Sequence, residues 1–72
     1  MTQHERIIAY VKAHGSITPF EAFRELGITK LATRVGEIER AGGAAFAHIR
    51  QDDVNKYGER VTYMKYVLRG ED

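Results

Sequence analysis

The chain has 72 residues, no cysteine, and 11 basic against 10 acidic side chains, for a formal charge of +1. That length makes one domain, expected over residues 1–72, with a small core that a ligand or a second copy would help stabilise, and the lack of cysteine excludes disulfides and thiolate metal sites. Six basic and five acidic groups fall in residues 1–43 and five of each in residues 44–72, so any affinity for nucleic acid has to come from local placement and not from bulk charge.

The start, Met1-Thr2-Gln3-His4-Glu5-Arg6, is polar, and no apolar run approaches a signal core or a membrane span. A cytoplasmic protein with no membrane partner is expected. Thr2 and Glu5 fit a capping box, and Ile7, Ile8 and Val11 make one apolar stripe, which predicts a first helix from about Gln3 to His14. Gly15 supplies a left-handed stop. Ile17 stands alone and reads as a short extended segment docked on the core.

Thr18-Pro19 opens a second helix, with threonine as N-cap, proline at the first helical position and Glu21 in the first turn. Phe20, Phe23 and Leu26 share one face at spacing three, Gly27 ends the helix, and Ile28 packs under the turn. Thr29 is read as the cap of a third helix, from Lys30 to about Ala41. Leu31, Val35 and Ile38 form its inward stripe, and Gly36 falls in its middle at a cost of about 1 kcal/mol.

After Gly42-Gly43 the period becomes alternating. A three-residue loop, Lys56-Tyr57-Gly58, closes a hairpin with Asn55 opposite Glu59. This register sets Phe46 opposite Leu68, His48 opposite Tyr66, Arg50 opposite Met64 and Asp52 opposite Thr62, with Phe46, Met64, Tyr66 and Leu68 on one buried face. His48 is expected to be partly buried near Tyr66. The order helix, short strand, helix, helix, strand, wing, strand is that of a winged helix. The fold class is α+β: a winged helix-turn-helix of three helices with a C-terminal β-hairpin wing.

Three runs carry a family resemblance. They are Ser16-Ile17-Thr18-Pro19-x-Glu21-Ala22, then Gly27-Ile28-Thr29-x-Leu31-Ala32-x-Arg34-Val35, then Asn55-Lys56-Tyr57-Gly58. In order and spacing the chain resembles a small helix-turn-helix family common in phage and prophage genomes, over about Arg6 to Leu68. The resemblance implies a DNA-binding domain. Gly36 and Glu37 depart from the polar, helix-favouring residues expected of a recognition helix, and Asp52-Asp53 lies beside the wing.

In a helix-turn-helix the second helix enters the major groove. Lys30, Thr33, Arg34, Glu37 and Arg40 form the polar side of that helix, opposite Leu31, Val35 and Ile38. Arg34 has the fork that matches guanine O6 and N7, Thr33 suits a thymine methyl or a phosphate, and Glu37 suits cytosine N4. The alternative is a solvated face on which Glu37 pairs with Arg34 or Arg40. The helix starts at Thr18 and Thr29 offer amides to a phosphate as well as caps. Lys56, Tyr57 and Arg60 make the wing a backbone or minor-groove contact, or else a solvated hairpin tip with Tyr57 resting on the strands.

Ile49, Tyr63 and Val67 fall on the outer sheet face, which is read as the surface of a homodimer unless the first helix or the C-terminal tail covers it. His4, His14 and His48 lack ligand spacing, so no metal or other cofactor is expected. Ser16 sits at a turn, the carboxylates are scattered, and no phosphate loop is present, so no enzyme is expected. The sequence therefore points to double-stranded DNA as the partner, with a protein of the host or phage, held by a winged-helix interaction module, as the alternative.

Overall fold

The computed structural model describes residues 1–69. Three helices are followed by an antiparallel hairpin: α1 (Gln3–His14), α2 (Pro19–Leu26), α3 (Leu31–Arg40), β1 (Phe46–Val54) and β2 (Arg60–Leu68). The first two helix starts are closed by reciprocal bonds. Thr2 Oγ1 accepts from the Glu5 amide at 3.1 Å while the Thr2 amide donates to Glu5 Oε1 at 2.9 Å. Thr18 and Glu21 repeat the pattern at 3.3 and 3.0 Å.

α3 begins differently from the expectation. Its N-cap is Lys30, which makes no side-chain cap bond, and the helix runs from Leu31 to Arg40. The Arg34 amide donates to the Lys30 carbonyl at 3.1 Å. Thr29 therefore stands one residue outside the first helical turn, beyond the position from which a hydroxyl caps. Thr18→Ala is expected to destabilise the domain by about 1 kcal/mol and Thr29→Ala by almost nothing, a difference that urea unfolding of the two variants resolves.

The hairpin has the predicted register throughout, from Phe46 opposite Leu68 to Val54 opposite Arg60. Asn55 organises its end. The Asn55 amide donates to the Glu59 carbonyl at 2.9 Å, and Asn55 Oδ1 accepts from the amides of Tyr57 and Glu59 at 2.9 and 3.0 Å. Gly58 completes the loop at φ 78°, a left-handed conformation in which a Cβ is strained. Ile17 joins the sheet on the other side of β2, exchanging two backbone bonds with Tyr66 at 3.0 and 2.9 Å. The lone extended residue of the sequence is thus a one-residue third strand.

The core consists of Ile7 and Val11 from α1, Ile17, Ala22 from α2, Ile28, Leu31, Val35 and Ile38 around α3, and Phe46 and Tyr66 from the sheet. It corrects the reading of α2. Phe20 and Phe23 are 64% and 60% exposed, whereas Ala22 is fully buried and Leu26 half-buried. Ala22 and Leu26, spaced four apart, face inward with Ile28. A small residue at Ala22 lets α2 sit close, and the two phenyl rings are carried to the outside. Arg24 lies over the Phe20 ring with its guanidinium carbon 4.9 Å from the centroid, partly covering it.

His48 is also more exposed than expected. Its ring meets Tyr66 edge-on at 5.0 Å, but its Nε2 reaches outward to Glu39 Oε2 at 3.0 Å. On the outer sheet face Ile49 and Val61 are only just exposed, and Tyr63 and Val67 are half-buried.

Candidate nucleic-acid interface

Gly27, at φ 71°, closes α2 by donating to the Phe23 carbonyl at 3.1 Å, and the Ile28 amide returns to the Ala22 carbonyl at 3.0 Å. With the Ile28 side chain buried beneath, the turn between α2 and α3 is pinned by both backbone and core. This connection fixes which side of α3 looks outward.

Leu31, Val35 and Ile38 take the inner side of α3. Opposite them stand Thr33 and Arg40, both exposed, and half-buried Gly36, with exposed Ala32 at the edge of this side. Lys30 is exposed at the start of the helix. Arg34 and Glu37 occupy a flank and are half-buried. The five polar positions read from the sequence therefore divide: Lys30, Thr33 and Arg40 look outward, and Arg34 and Glu37 are bonded to each other.

That bond is close. Arg34 Nη1 donates to both Glu37 oxygens at 2.8 Å, and His4 Nε2, reaching across from α1, donates to Oε1 at 2.9 Å. The His4 bond first, and then the Arg34 bond, hold the Glu37 carboxyl below its ordinary value despite some desolvation. The ion-pair alternative for Glu37 is thus the arrangement present, with Arg34 as the partner and not Arg40. Behind α3, His48 lowers the Glu39 carboxyl in the same way, and Glu39 Oε2 also accepts from the Phe46 amide at 3.2 Å, tying the helix to the hairpin.

Two contributors, His4 and Ala32, have no role in the motifs of the sequence, and Gly36 stands out there as a weak point of the helix. The contact of His4 with Glu37 spans 33 residues and has no local signal. The outward place of Gly36 is legible in the periodicity: a stripe centred on Leu31, Val35 and Ile38 puts it on the far side at 100° per residue, with Ala32 at the edge. A Cβ built on Gly36 would meet only Arg40 Nη1, at 3.4 Å, the end of a flexible side chain. Gly36→Ala is therefore expected to stabilise the domain by about 1 kcal/mol, visible as a rise in Tm of roughly 4–8 °C.

Around the wing, Lys56, Tyr57 and Arg60 are exposed, Tyr57 by 77%. Tyr57 does not rest on the strands; Lys56 Nζ lies 5.5 Å from its ring centroid. The nearby acids are partly occupied: Asp52 Oδ1 accepts from the Thr62 hydroxyl at 2.9 Å, Asp53 Oδ1 from the Val54 amide at 2.8 Å, and Glu59 Oε1 from Asn55 Nδ2 at 3.0 Å. Among the described residues Lys30, Arg40, Lys56 and Arg60 make no ion pair. Of the two threonines, Thr18 is engaged with Glu21, and the exposed Thr29 caps nothing.

A helix pair joined by a tight glycine turn, an outward-facing second helix and a hairpin projecting beyond the core are the parts of one known design. The sequence of residues 2–71 matches the family described as winged helix-turn-helix domain. The chain belongs to the winged helix-turn-helix family. This is a DNA-binding, non-enzymatic kind of domain. Within it α2 and α3 are the helix-turn-helix, and the β1–β2 end is the wing. No curated protein and no solved structure was found to match the sequence. Among the described residues no helix of this winged helix-turn-helix is long and apolar enough to cross a membrane.

Proposed function

We propose that this winged helix-turn-helix domain reads duplex DNA in a sequence-specific way, with α3 in the major groove. The observation that carries the reading is the outward side of α3, where Lys30 and Arg40, unpaired among the described residues, flank the small and uncharged Ala32, Thr33 and Gly36. Small residues at the centre let the helix backbone approach base edges, and cations at the sides meet phosphates. Arg34 on the flank supplies the base contact, Thr33 a thymine methyl or a phosphate, and Lys56, Tyr57 and Arg60 grip the backbone beside the groove. The start of α2 after Thr18 and the start of α3 after Lys30, one residue beyond Thr29, add amides for phosphate contacts.

In the cell the domain acts in the cytoplasm as a transcriptional regulator, or as an excision or replication accessory factor, of phage or mobile-element type. Two copies on one site would double the phosphate contacts of a nearly neutral chain and add avidity. Selection from a random duplex library tests the reading. Enrichment of a defined motif, with affinity that falls steeply with salt, is expected; an unenriched library after repeated rounds would overturn it.

A second reading has its own support. Phe20 and Phe23 present two aromatic rings to solvent from α2, beside a groove lined by Thr18, Pro19, Glu21, Arg24 and Tyr63. Exposed aromatic rings of this kind suit an interaction module that binds a host or phage protein. Retention of a stoichiometric protein partner from nuclease-treated lysate, lost in Phe20→Ala, together with no DNA binding at low salt, would favour it over the first.

A further inference from the structure

A carboxylate on a helix that approaches DNA repels phosphates, yet Glu37 sits on the flank of α3 beside Arg34. Its bonds account for it. Both of its oxygens accept from a single nitrogen of Arg34, Nη1, and Oε1 also accepts from His4. A guanidinium carries five N–H groups in one plane. Nη1 is engaged with the carboxylate, and Nε and Nη2 have no partner among the described residues. The Nε–Nη2 edge presents two parallel N–H groups, the geometry that pairs with O6 and N7 of guanine.

The hold comes from two helices. Glu37 is three residues from Arg34 on α3, and His4 braces the carboxylate from α1. A long arginine side chain loses rotamer freedom when it binds, and one already fixed loses less.

We propose that Glu37, braced by His4, is a positioning residue that fixes the Arg34 guanidinium with its Nε–Nη2 edge free for one guanine, and that it sets sequence discrimination while lowering overall affinity. The proposal rests on the DNA-reading function above. It gives Glu37 two effects of opposite sign. Its charge weakens binding to every duplex, and its grip on Arg34 favours one.

Glu37→Gln removes the charge and one of the two oxygen acceptors. Binding to a selected duplex and to a scrambled one of equal length, titrated at one salt concentration, separates the effects. The scrambled duplex is expected to bind equally well or more tightly, and the preference for the selected duplex to fall about tenfold. His4→Ala, which leaves α3 untouched, is expected to lower the preference in the same direction. In an Arg34→Ala background Glu37→Gln is expected to cost no further preference. Thermal melting establishes that each variant is folded. Undiminished preference in both Glu37→Gln and His4→Ala would overturn the proposal, as would equal changes on the two duplexes, which mark a purely electrostatic role. A wild-type protein without any duplex preference would overturn the DNA reading itself, and this proposal with it.

Discussion

Arg34→Ala is expected to reduce the preference of the domain for its selected duplex by roughly 10- to 100-fold, the worth of one bidentate arginine–guanine contact. The fold should survive. The side chain is about a third exposed, and its bond to Glu37 is a partly exposed ion pair of the kind that contributes little to stability. Lys30→Ala provides the contrast. A lysine at the exposed start of α3 suits a phosphate contact, so its loss should weaken all duplexes about equally and reduce the salt slope by about one. Titrations of both variants on selected and scrambled duplexes, at two salt concentrations, distinguish a base contact from a backbone contact. Equal losses on both duplexes for Arg34→Ala would remove that residue from base reading.

Phe46→Ala is expected to be the most damaging single substitution for stability, at about 3–5 kcal/mol. A domain of this length has only about 4–10 kcal/mol to lose. Phe46 is 3% exposed, begins β1, and sits where Glu39 ties α3 to the hairpin through the Phe46 amide. Removal of a buried ring from this core leaves a cavity and costs its transfer energy. Phe23→Ala, an identical change in chemistry, should alter stability by no more than about 0.5 kcal/mol, because its ring is already in solvent. Phe20→Ala should cost slightly more, up to about 1 kcal/mol, through loss of the Arg24 contact. Urea unfolding of the three variants checks the order. A large loss in Phe23→Ala would mean that α2 packs through its phenyl rings, as its spacing suggested.

That contrast shows where the sequence was legible and where it was not. Capping boxes at Thr2–Glu5 and Thr18–Glu21 involve residues three apart, so composition at two positions decides them. Gly15 and Gly27 stop helices through their own φ. The hairpin register follows from the Asn55–Gly58 turn and from alternation, because a shift by one residue would expose Phe46 and Tyr66. Thr29 failed as a cap because Lys30 followed by Leu31 admits two helix starts one residue apart, and a hydroxyl alone does not choose between them.

The sequence by itself thus determined the number and order of elements, their stops and the pairing of the hairpin, because these are decided by groups within a few residues of one another. Only the tertiary structure decided the surfaces. Which side of α2 is buried depends on how closely α1, α3 and β2 approach it, and Ala22, the small residue, won the inward place over two larger aromatics. Whether Arg34 stands free or held depends on His4 and Glu37, brought together from the first and third helices across 33 residues of sequence. A periodic pattern ranks side chains by their own hydrophobicity; burial ranks them by the space their neighbours leave.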